Sequence, residues 1–333
     1  MAMNPILEST ALEAARRHDE AAFRHVVEPH RAGLLAHCYR VLGSTADAED
    51  ALQEALLRAW RGLPAFEGRS SLRSWLYTIA TNVCLKLLER RPRRVLPLDF
   101  GDPHGPPEDV AWLEPFPDAA VADGPASPEA RYEQRESVEL AFAAALQHLP
   151  ERQRAALLLR DVLGFSPAEI ATALDATPAA VYSMLQRARE TAATRLPERS
   201  QQATVRALGD SRLRDLVGRY VRAWENADVG ALAALLTEDA TLAMPPRPDW
   251  YRGRDTVATF LERWPLRYPW ERVPVGASGQ PAFAIYEGGG GRHAHAIEVL
   301  TVTASGQVAA ITVFHTPEVF ARFGLSPERE VIT

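Results

Sequence analysis

Two helix-start signals follow each other in the middle of the chain, and the side chains after them are of types that contact DNA. Ser166-Pro-Ala-Glu169 combines an N-cap serine, a proline at the first helical position and a glutamate at the capping-box position. Thr177-Pro178 repeats the cap and the proline, and predicts a helix that continues to about Arg195. A short helix, a turn and a longer basic helix are the pattern of a helix-turn-helix. An ordinary helical hairpin is the alternative.

Helical periodicity divides the second of these helices into two faces. The positions expected to lie inward are Val181, Leu185, Ala188 and Ala192. The positions left for solvent or for a major groove are Ala179, Ala180, Tyr182, Ser183, Gln186, Arg187 and Arg189.

The first 94 residues predict three helices, each with an apolar stripe, and the second of them also has an acidic face. The first spans His18 to Leu42 and ends at Gly43, and the second opens at Thr45. The third follows Phe66-Glu-Gly-Arg69, with Ser70 or Ser71 as its cap, and ends in a basic run. The polar face of the second helix carries Asp47, Asp50, Gln53 and Glu54. The residues alone allow a bundle with a solvated basic end, or a basic end that contacts phosphates.

Composition and charge restrict the class of protein. The chain has 333 residues, is 47% hydrophobic and 24% charged, and is typical of a globular protein of two or three domains. No apolar run suits a membrane span, and no export signal precedes the first helix, so we expect a cytoplasmic protein. Cys38 and Cys84 are too few for a disulfide framework and are expected to be buried thiols.

Residues 95–128 predict an acidic linker. They carry no lysine or arginine and seven carboxylates, against a net charge of −6 for the whole chain, together with eight prolines. The carboxylates are Asp99, Asp102, Glu108, Asp109, Glu114, Asp118 and Asp123. This linker and a milder break near 197–210 predict helical domains over 1–94 and 129–199 and a third domain over 208–333.

These segments resemble regions 2 and 4 of bacterial RNA polymerase sigma factors, in the extracytoplasmic-function group of the sigma-70 family. The resemblance rests on five motifs in the family's order. They are Tyr39-Arg-Val-Leu-Gly43 with Ala48-Glu-Asp-Ala-Leu-Gln-Glu54, Phe66-Glu-Gly-Arg-Ser-Ser71 with Trp75-Leu76, Leu149-Pro-Glu-Arg-Gln-Arg154, Gly164-Phe-Ser-Pro-Ala-Glu-Ile-Ala171, and Thr177 through Arg189.

The resemblance implies partners and a role for each matching residue. The partners are the polymerase core, through its β′ clamp helices and its β flap, and promoter DNA. Clamp docking is implied for Asp47, Asp50, Gln53 and Glu54. Contact with unstacked bases of the −10 element is implied for Phe66, Arg69, Ser70, Ser71 and Asn82. Contact with the −35 element is implied for Thr177, Ala179, Ser183, Gln186 and Arg187, with Arg189 on phosphates. Tyr182 and Met184 stand where many relatives have basic residues, which implies fewer phosphate contacts. The resemblance implies no cofactor and no catalytic residue.

The last ~125 residues predict helices first and strands afterwards, which indicates an α+β domain. We expect helices over Leu213–Asn226, Val229–Leu236 and 255–264, and antiparallel strands near 240–244, 270–276, 281–286, 294–303 and 307–316. Tyr220-Val-Arg-Ala-Trp-Glu-Asn-Ala-Asp228 and Tyr251-Arg-Gly-Arg-Asp255 resemble the SnoaL-like domains of the ketosteroid-isomerase cone fold. Such a domain follows region 4 in a subset of these sigma factors, and Trp112-Leu-Glu-Pro-Phe-Pro-Asp118 is similar to a linker motif of that subset.

A cone of this type offers a pocket for a small apolar ligand. Its expected lining is Tyr220, Trp224, Met244, Trp250 and Trp264, although the same side chains are also suited to fill a core. His293, His295 and His315 lack an evident further ligand, so no metal is expected. Asp239 is expected to cap a strand or loop rather than act as a base.

Two functions from different classes remain open on the sequence. One is a promoter-specificity factor working with RNA polymerase, whose activity the fused domain modulates. The other is a freestanding helix-turn-helix regulator with a ligand-sensing or enzymatic tail. The docking and −10 motifs favour the first, because a freestanding regulator has no use for them. Trimming residues 317–333 is expected to alter promoter output more than folding.

Overall fold

The computed structural model describes residues 5–91, 93–96, 111–122, 138–288 and 292–329, and the chain divides into two units. The first comprises Met1–Arg94 and Ala119–Leu196, and its described residues are mainly helical. The second comprises Val95–Asp118 and Pro197–Thr333 and holds a mixed sheet with helices. The predicted class, all-α domains followed by an α+β domain, is confirmed. None of the described helices is long and apolar enough to cross a bilayer.

The N-terminal half of the first unit contains the three predicted helices and one more. The four are α1 Pro5–Arg16, α2 Glu20–Leu42, α3 Thr45–Gly62 and α4 Leu72–Leu88. Their boundaries follow the caps: Ser44 accepts from the Asp47 amide at 3.1 Å, and Ser71 accepts from the Ser74 amide at 3.0 Å. Gly43 ends α2 in the left-handed conformation, with φ 71°. Of the two serines proposed for α4, Ser71 is therefore the cap.

The C-terminal half of the first unit contains the helix-turn-helix. Its described helices are α5 Ala119–Ala122, α6 Leu140–Gln147, α7 Glu151–Leu157 with a π turn over Leu158–Val162, α8 Pro167–Ala173 and α9 Pro178–Ala193. The capping box forms as predicted, since Glu169 Oε2 accepts from the Ser166 amide at 2.9 Å. Thr177 caps α9 by accepting from the Ala180 amide at 3.2 Å.

A buried arginine joins the two halves of this unit. The Arg154 side chain donates from Nη1 to Gln147 Oε1 at 2.7 Å and to the Val41 carbonyl at the end of α2. Burial lowers the pKa of Arg154 to about 10. Gln147 Nε2 in turn donates to the Arg40 carbonyl at 3.4 Å. The orphan carbonyls at the C-terminus of α2 are thus bonded by side chains from the other half of the unit.

The two cysteines are free and buried, as the sequence predicts. Cys38 on α2 and Cys84 on α4 are both fully shielded from solvent, and burial raises the pKa of the Cys84 thiol.

The second unit packs four helices against a twisted sheet. The helices are α10 Gln201–Leu208, α11 Asp210–Glu225, α12 Val229–Leu235 and α13 Arg254–Arg263. The strands are β1 Arg94–Val95, β2 Ala111–Trp112, β3 Leu236–Ala243, β4 Trp250–Arg252, β5 Trp270–Ala277, β6 Gln280–Glu287, β7 Arg292–Val302, β8 Val308–Phe314 and β9 Glu328–Arg329. The main sheet has the order β4-β3-β8-β7-β6-β5, with β9 beside the start of β7.

One strand pair departs from the antiparallel expectation. β3 lies parallel to β8, with Leu242 opposite Ile311, whereas the other pairs of the main sheet are antiparallel. A parallel neighbour requires a long crossover, and the chain between β3 and β8 supplies it with α13 and four further strands. The core between helices and sheet includes Tyr220, stacked on Phe283 at a ring-centroid distance of 5.7 Å.

The expected break near 197–210 is itself a helix. α10 lies there because Ser200 caps it, accepting from the Ala203 amide at 3.1 Å. The buried Gln201 side chain accepts from the Val302 amide at 2.8 Å and donates to the Val302 carbonyl at 3.0 Å. These two bonds secure α10 to the end of β7.

The described part of the acidic linker packs against the sheet of the second unit. Phe116 is 1% exposed, its amide donates to Ser278 Oγ at 3.1 Å, and its carbonyl accepts from the Ser278 amide at 2.7 Å. Asp118 Oδ1 accepts from the Gly279 amide at 2.7 Å. Asp99, Asp102, Glu108, Asp109 and Asp123 lie outside the described residues. The segment 111–118 is therefore part of the second unit rather than a free linker.

A 3₁₀ helix spans Pro317–Phe323, between β8 and β9. Val319 and Phe320 are 2% and 1% exposed, and the Phe320 ring meets Tyr286 at 5.2 Å. The Tyr286 hydroxyl donates to the Ser326 carbonyl at 2.9 Å. The expectation that trimming residues 317–333 alters promoter output more than folding stays a prediction, and because the trim removes these core side chains, we also expect it to destabilise the domain.

Candidate nucleic-acid interface

The outer face of α9 is open to solvent. Val181, Leu185, Ala188 and Ala192 are buried, as periodicity predicts. The exposed positions include Thr177, Ala179, Gln186, Arg187 and Arg189, and Ser183 is half-buried. Tyr182 is 62% exposed, which is unusual for a ring of that size. The face predicted for the −35 element is thus continuous and accessible.

Bonds along α9 orient its polar side chains. Arg187 Nη2 donates to Ser183 Oγ at 2.7 Å, one turn back. Gln186 Nε2 donates to Glu190 Oε1 at 3.0 Å. Both side chains are held along the helix, in positions from which donors and acceptors can reach base edges.

Arg189 has a partner that the sequence did not indicate. Its Nε and Nη2 donate to the two carboxylate oxygens of Asp161 at 3.0 and 2.5 Å, and this bidentate pair raises the pKa of Arg189. Asp161 lies in the π turn after α7, and its carboxylate therefore occupies the guanidinium for which the resemblance implied phosphate contact.

The loop before α4 presents polar groups, but Phe66 is not among the exposed ones. Arg69, Ser70 and Ser71 of this loop are exposed, and so is Asn82 on α4 itself. Phe66 is 7% exposed because the 3₁₀ turn before it lays the ring against Trp75 at 5.0 Å. The expectation that Phe66 offers its ring to a flipped base is therefore a mismatch with this structure, in which the ring belongs to the core.

The acidic face of α3 also loses one predicted member. Asp50 and Gln53 are exposed, and Glu54 is half-buried beside Arg58, whose Nε lies 2.6 Å from Glu54 Oε1. Asp47 is 6% exposed and forms ion pairs with Arg91 and Arg94, the latter at 2.6 Å. Asp47 is covered because the basic segment that follows α4 folds back onto it.

The first turn of α4 is bonded to the helix-turn-helix. Ser74 Oγ donates to Glu169 Oε1 at 2.8 Å, and Arg73 Nη2 donates to the Leu163 carbonyl at 3.1 Å. Hydrogen bonds from Ser166 and Ser74 lower the pKa of Glu169. Periodicity gives no signal for this contact, since the two residues are far apart in sequence.

A cavity of about 300 Å³ opens into the second unit. Three of the five predicted lining residues, Trp224, Met244 and Trp264, line it. Tyr220 lies behind Glu298 in the core, and Trp250 lies outside the lining. The sequence did not indicate that Arg272 and Glu298 would face this cavity, because they stand on separate strands.

The histidines of the second unit do not form a ligand set. The rings of His295 and His315 meet edge to face at 4.8 Å, while His293 lies 3.6 Å from Glu328. Within the described residues no group of three or more metal-binding side chains comes together.

Comparison with known proteins matches each part of this arrangement. Residues 26–94 match the model of Sigma-70 region 2, residues 139–191 that of Sigma-70, region 4, and residues 217–315 that of the SnoaL-like domain. The chain is 43% identical over 333 aligned residues to the ECF RNA polymerase sigma factor SigG of Mycobacterium tuberculosis, covering 96% of this chain and 88% of that protein. The chain belongs to the extracytoplasmic-function sigma factors.

One further sequence relative covers about half of the chain, and one solved structure covers most of it. The RNA polymerase sigma-H factor of Pseudomonas aeruginosa is 35% identical over 179 residues, which is 54% of this chain and 88% of that protein. The crystal structure of the Mycobacterium tuberculosis extracytoplasmic function sigma factor SigJ shares the fold, with a TM-score of 0.57, 23% identity, and coverage of 89% of this chain and 97% of that one.

This sigma factor binds the RNA polymerase core and promoter DNA and directs transcription initiation, with a SnoaL-like domain fused after region 4. The prediction of a promoter-specificity factor is confirmed, and the freestanding regulator is set aside because region 2 is present. Sigma factors are not enzymes, which agrees with the function predicted for the chain.

Proposed function

We propose that this sigma factor reads its promoter with the exposed faces of α9 and of the loop before α4, and docks on the polymerase clamp with the exposed part of α3. The observation that carries the proposal is the open polar face of α9, with Gln186 and Arg187 exposed and bonded along the helix. Within that face, Ser183, Gln186 and Arg187 contact −35 base edges, and Thr177 and Ala179 border them. Arg189 contacts phosphates once it leaves Asp161.

The −10 element is contacted by Arg69, Ser70, Ser71 and Asn82. All four are exposed to solvent. A base that leaves the duplex loses its base-pair hydrogen bonds and its stacking, and side chains that bind it must replace both.

The β′ clamp helices are contacted by Asp50, Gln53 and Glu54, and region 4 contacts the β flap. Asp47 joins the clamp contact only after Arg91 and Arg94 release it, so its contribution is smaller. An acidic face on a helix attracts a basic partner and gains most at low salt.

The first unit is a closed state that opens on the promoter. Region 2 and region 4 contact different DNA elements, whereas Ser74 and Glu169 bond the two regions directly. Arg154 adds a second link through the Val41 carbonyl. Because DNA spanning both elements separates the regions, promoter binding and these contacts exclude each other, which is a coupling between two states.

The SnoaL-like domain modulates this opening in the cytoplasm. Support comes from the segment 111–118, which lies between region 2 and region 4 in the chain and is bonded to Ser278 and Gly279 of the tail domain. Because this segment is bonded to the tail domain, a conformational change in that domain alters how far the chain between region 2 and region 4 can move.

The decisive experiment is transcription in vitro with purified polymerase core. The full chain is mixed with core and a promoter selected from a random library, and transcripts are mapped. A defined start site that requires the chain supports the proposal. Core binding without promoter selectivity would refute the assignment of α9, and selectivity without core binding would refute that of α3.

A further inference from the structure

The wall of the cavity in the SnoaL-like domain includes a buried arginine with one unused donor group. The Arg272 side chain is 4% exposed and lines the cavity wall. We propose that the cavity binds a flat, largely apolar small molecule bearing one neutral oxygen, and that Arg272 donates a hydrogen bond to that oxygen.

The bonds of Arg272 define which donor is left. Its Nε and Nη2 donate to Glu298 Oε1 and Oε2 at 3.3 and 3.4 Å, and Tyr220 also donates to Glu298 Oε1 at 3.1 Å. Nη1 is buried and has no hydrogen-bond partner in the protein. A buried N–H group without an acceptor is destabilising, so a ligand oxygen at this position removes a defect that the folded chain carries.

The charges at this end of the cavity favour a neutral oxygen over a carboxylate. The Glu298 carboxylate, 1% exposed, already balances Arg272. Burial lowers the pKa of His315 to about 4 and also lowers the pKa of His295, so both rings are neutral at pH 7. A ligand carboxylate would add an unbalanced negative charge next to Glu298, and desolvating it there is costly.

The other cation of the lining stands where the ligand enters. Arg247 is 60% exposed and pairs with Asp249 at 3.6 Å, so water and that carboxylate screen its charge, and its remaining effect on the lining is to help lower the pKa of His315.

The walls between the two ends suit a ring system. The Arg272 guanidinium lies 3.5 Å from the ring centre of Trp224, and the Trp270 ring contacts His295 at 4.6 Å. At the rim, Trp264 is 63% exposed and stacks on Tyr268 at 5.6 Å. A large ring left in water beside a cavity gains when a ligand covers it. A volume at the lower end of the usual ~300–1,000 Å³ suits a molecule of about two fused rings.

The proposed binding site is argued from these contacts alone and is independent of promoter recognition. It does not require that the tail domain alters transcription, because the test measures binding to the full chain without polymerase or DNA.

Three probes of one shape separate the alternatives by calorimetric titration. 2-Acetylnaphthalene carries a neutral carbonyl, 2-ethylnaphthalene carries no acceptor, and 2-naphthoate carries a carboxylate. We expect the ketone to bind about tenfold more tightly than the hydrocarbon, which is the effect of one buried hydrogen bond. We expect the carboxylate to bind more weakly than the ketone.

The variant Arg272→Lys keeps a cation beside Glu298 and removes Nη1. It is expected to bind the hydrocarbon like the parent and to lose the tenfold preference for the ketone. Arg252→Lys, the same exchange at an exposed arginine of β4 outside the cavity lining, is the matched control and keeps the preference. Thermal unfolding of each variant verifies that the domain is folded, and where Arg272→Lys unfolds, Arg272→Gln replaces it in the same comparison.

Three results would overturn the proposal. They are tightest binding by 2-naphthoate, a preference for the ketone that survives in the folded Arg272 variant, and no binding of any probe to the folded parent chain.

Discussion

Ser74 Oγ lies 2.8 Å from Glu169 Oε1 and donates to it, so a residue one turn into the helix of region 2 bonds the capping-box glutamate of the helix-turn-helix. Glu169 already accepts from Ser166, and the second bond uses its other oxygen. The same carboxylate therefore starts α8 and links region 4 to region 2.

Removing this link should favour the open form of the first unit. Ser74→Ala leaves the Ser166 cap intact and deletes the bond to Glu169, worth about 1 kcal/mol, which shifts the closed–open equilibrium roughly fivefold; it also deletes a local bond from Ser71 Oγ, which lies within region 2 in both forms. Energy transfer between dyes on the two regions measures the shift, and introduced cysteines label selectively because Cys38 and Cys84 are buried. Thr78→Ala is the control, since the Thr78 hydroxyl bonds only the Ser74 carbonyl of its own helix. Equal distances in both variants would contradict the link.

Reversing charge on α3 should abolish association with the polymerase core. Asp50→Arg and Glu54→Arg each turn an attractive contact into a repulsive one, while exposed substitutions change stability by only about 0.5 kcal/mol. Co-purification with core is the measurement. Asp215→Arg is the matched control for Glu54→Arg, because Asp215 forms a comparable pair with Arg219 one turn along an exposed helix. Loss of core binding in the control would show a general charge effect instead.

Arg187 and Arg189 should fail in different ways. Arg187→Ala removes a side chain suited to guanine and should cost about 1–3 kcal/mol of discrimination at one −35 base pair. Arg189→Ala should weaken binding to all sequences alike and reduce the salt slope by about 1. Binding to a set of single-base promoter variants at two salt concentrations distinguishes the two. Identical profiles for both variants would remove the distinction between base and phosphate contacts.

The first unit should lose stability as the pH falls below 6.5. His37 is fully buried, with its Nε2 2.8 Å from Thr81 Oγ1, and burial and the nearby cations Arg40 and Arg73 lower its pKa to about 3. The unfolded chain therefore takes up the proton first, and at pH 5 this costs roughly 2 kcal/mol at 1.36 kcal/mol per unit.

Urea titrations at pH 7 and pH 5 measure this loss. His37→Gln should flatten the dependence between the two pH values, whereas His25→Gln, at an exposed position of α2, should leave it unchanged. A pH dependence that persists in His37→Gln would assign the loss to other groups.

Truncation before Pro317 should destabilise the tail domain. The loss of Val319 and Phe320 removes buried side chains, and a Phe-to-Ala change alone costs about 3–5 kcal/mol. Truncation after Arg329 keeps both residues and β9, and is the control. Thermal unfolding of the two chains should separate them by several degrees, and equal midpoints would show that the 3₁₀ helix contributes little.

The sequence alone determined the local structure and the family. Helix caps act over only a few residues, so they can be recognised in the sequence. Ser166 with Glu169 starts α8, Thr177 starts α9, and Gly43 ends α2. The apolar period likewise identified the open face of α9.

Only the tertiary structure decided which of the predicted polar and aromatic residues are available. Asp47 is covered by Arg91 and Arg94, Phe66 is packed on Trp75, and Arg272 meets Glu298 inside a cavity. These outcomes depend on contacts between residues that are distant along the chain. Neither the spacing of residues nor the composition predicts which distant residue will be the partner. Burial and pairing, which set the charge and reach of a side chain, are properties of the packed chain.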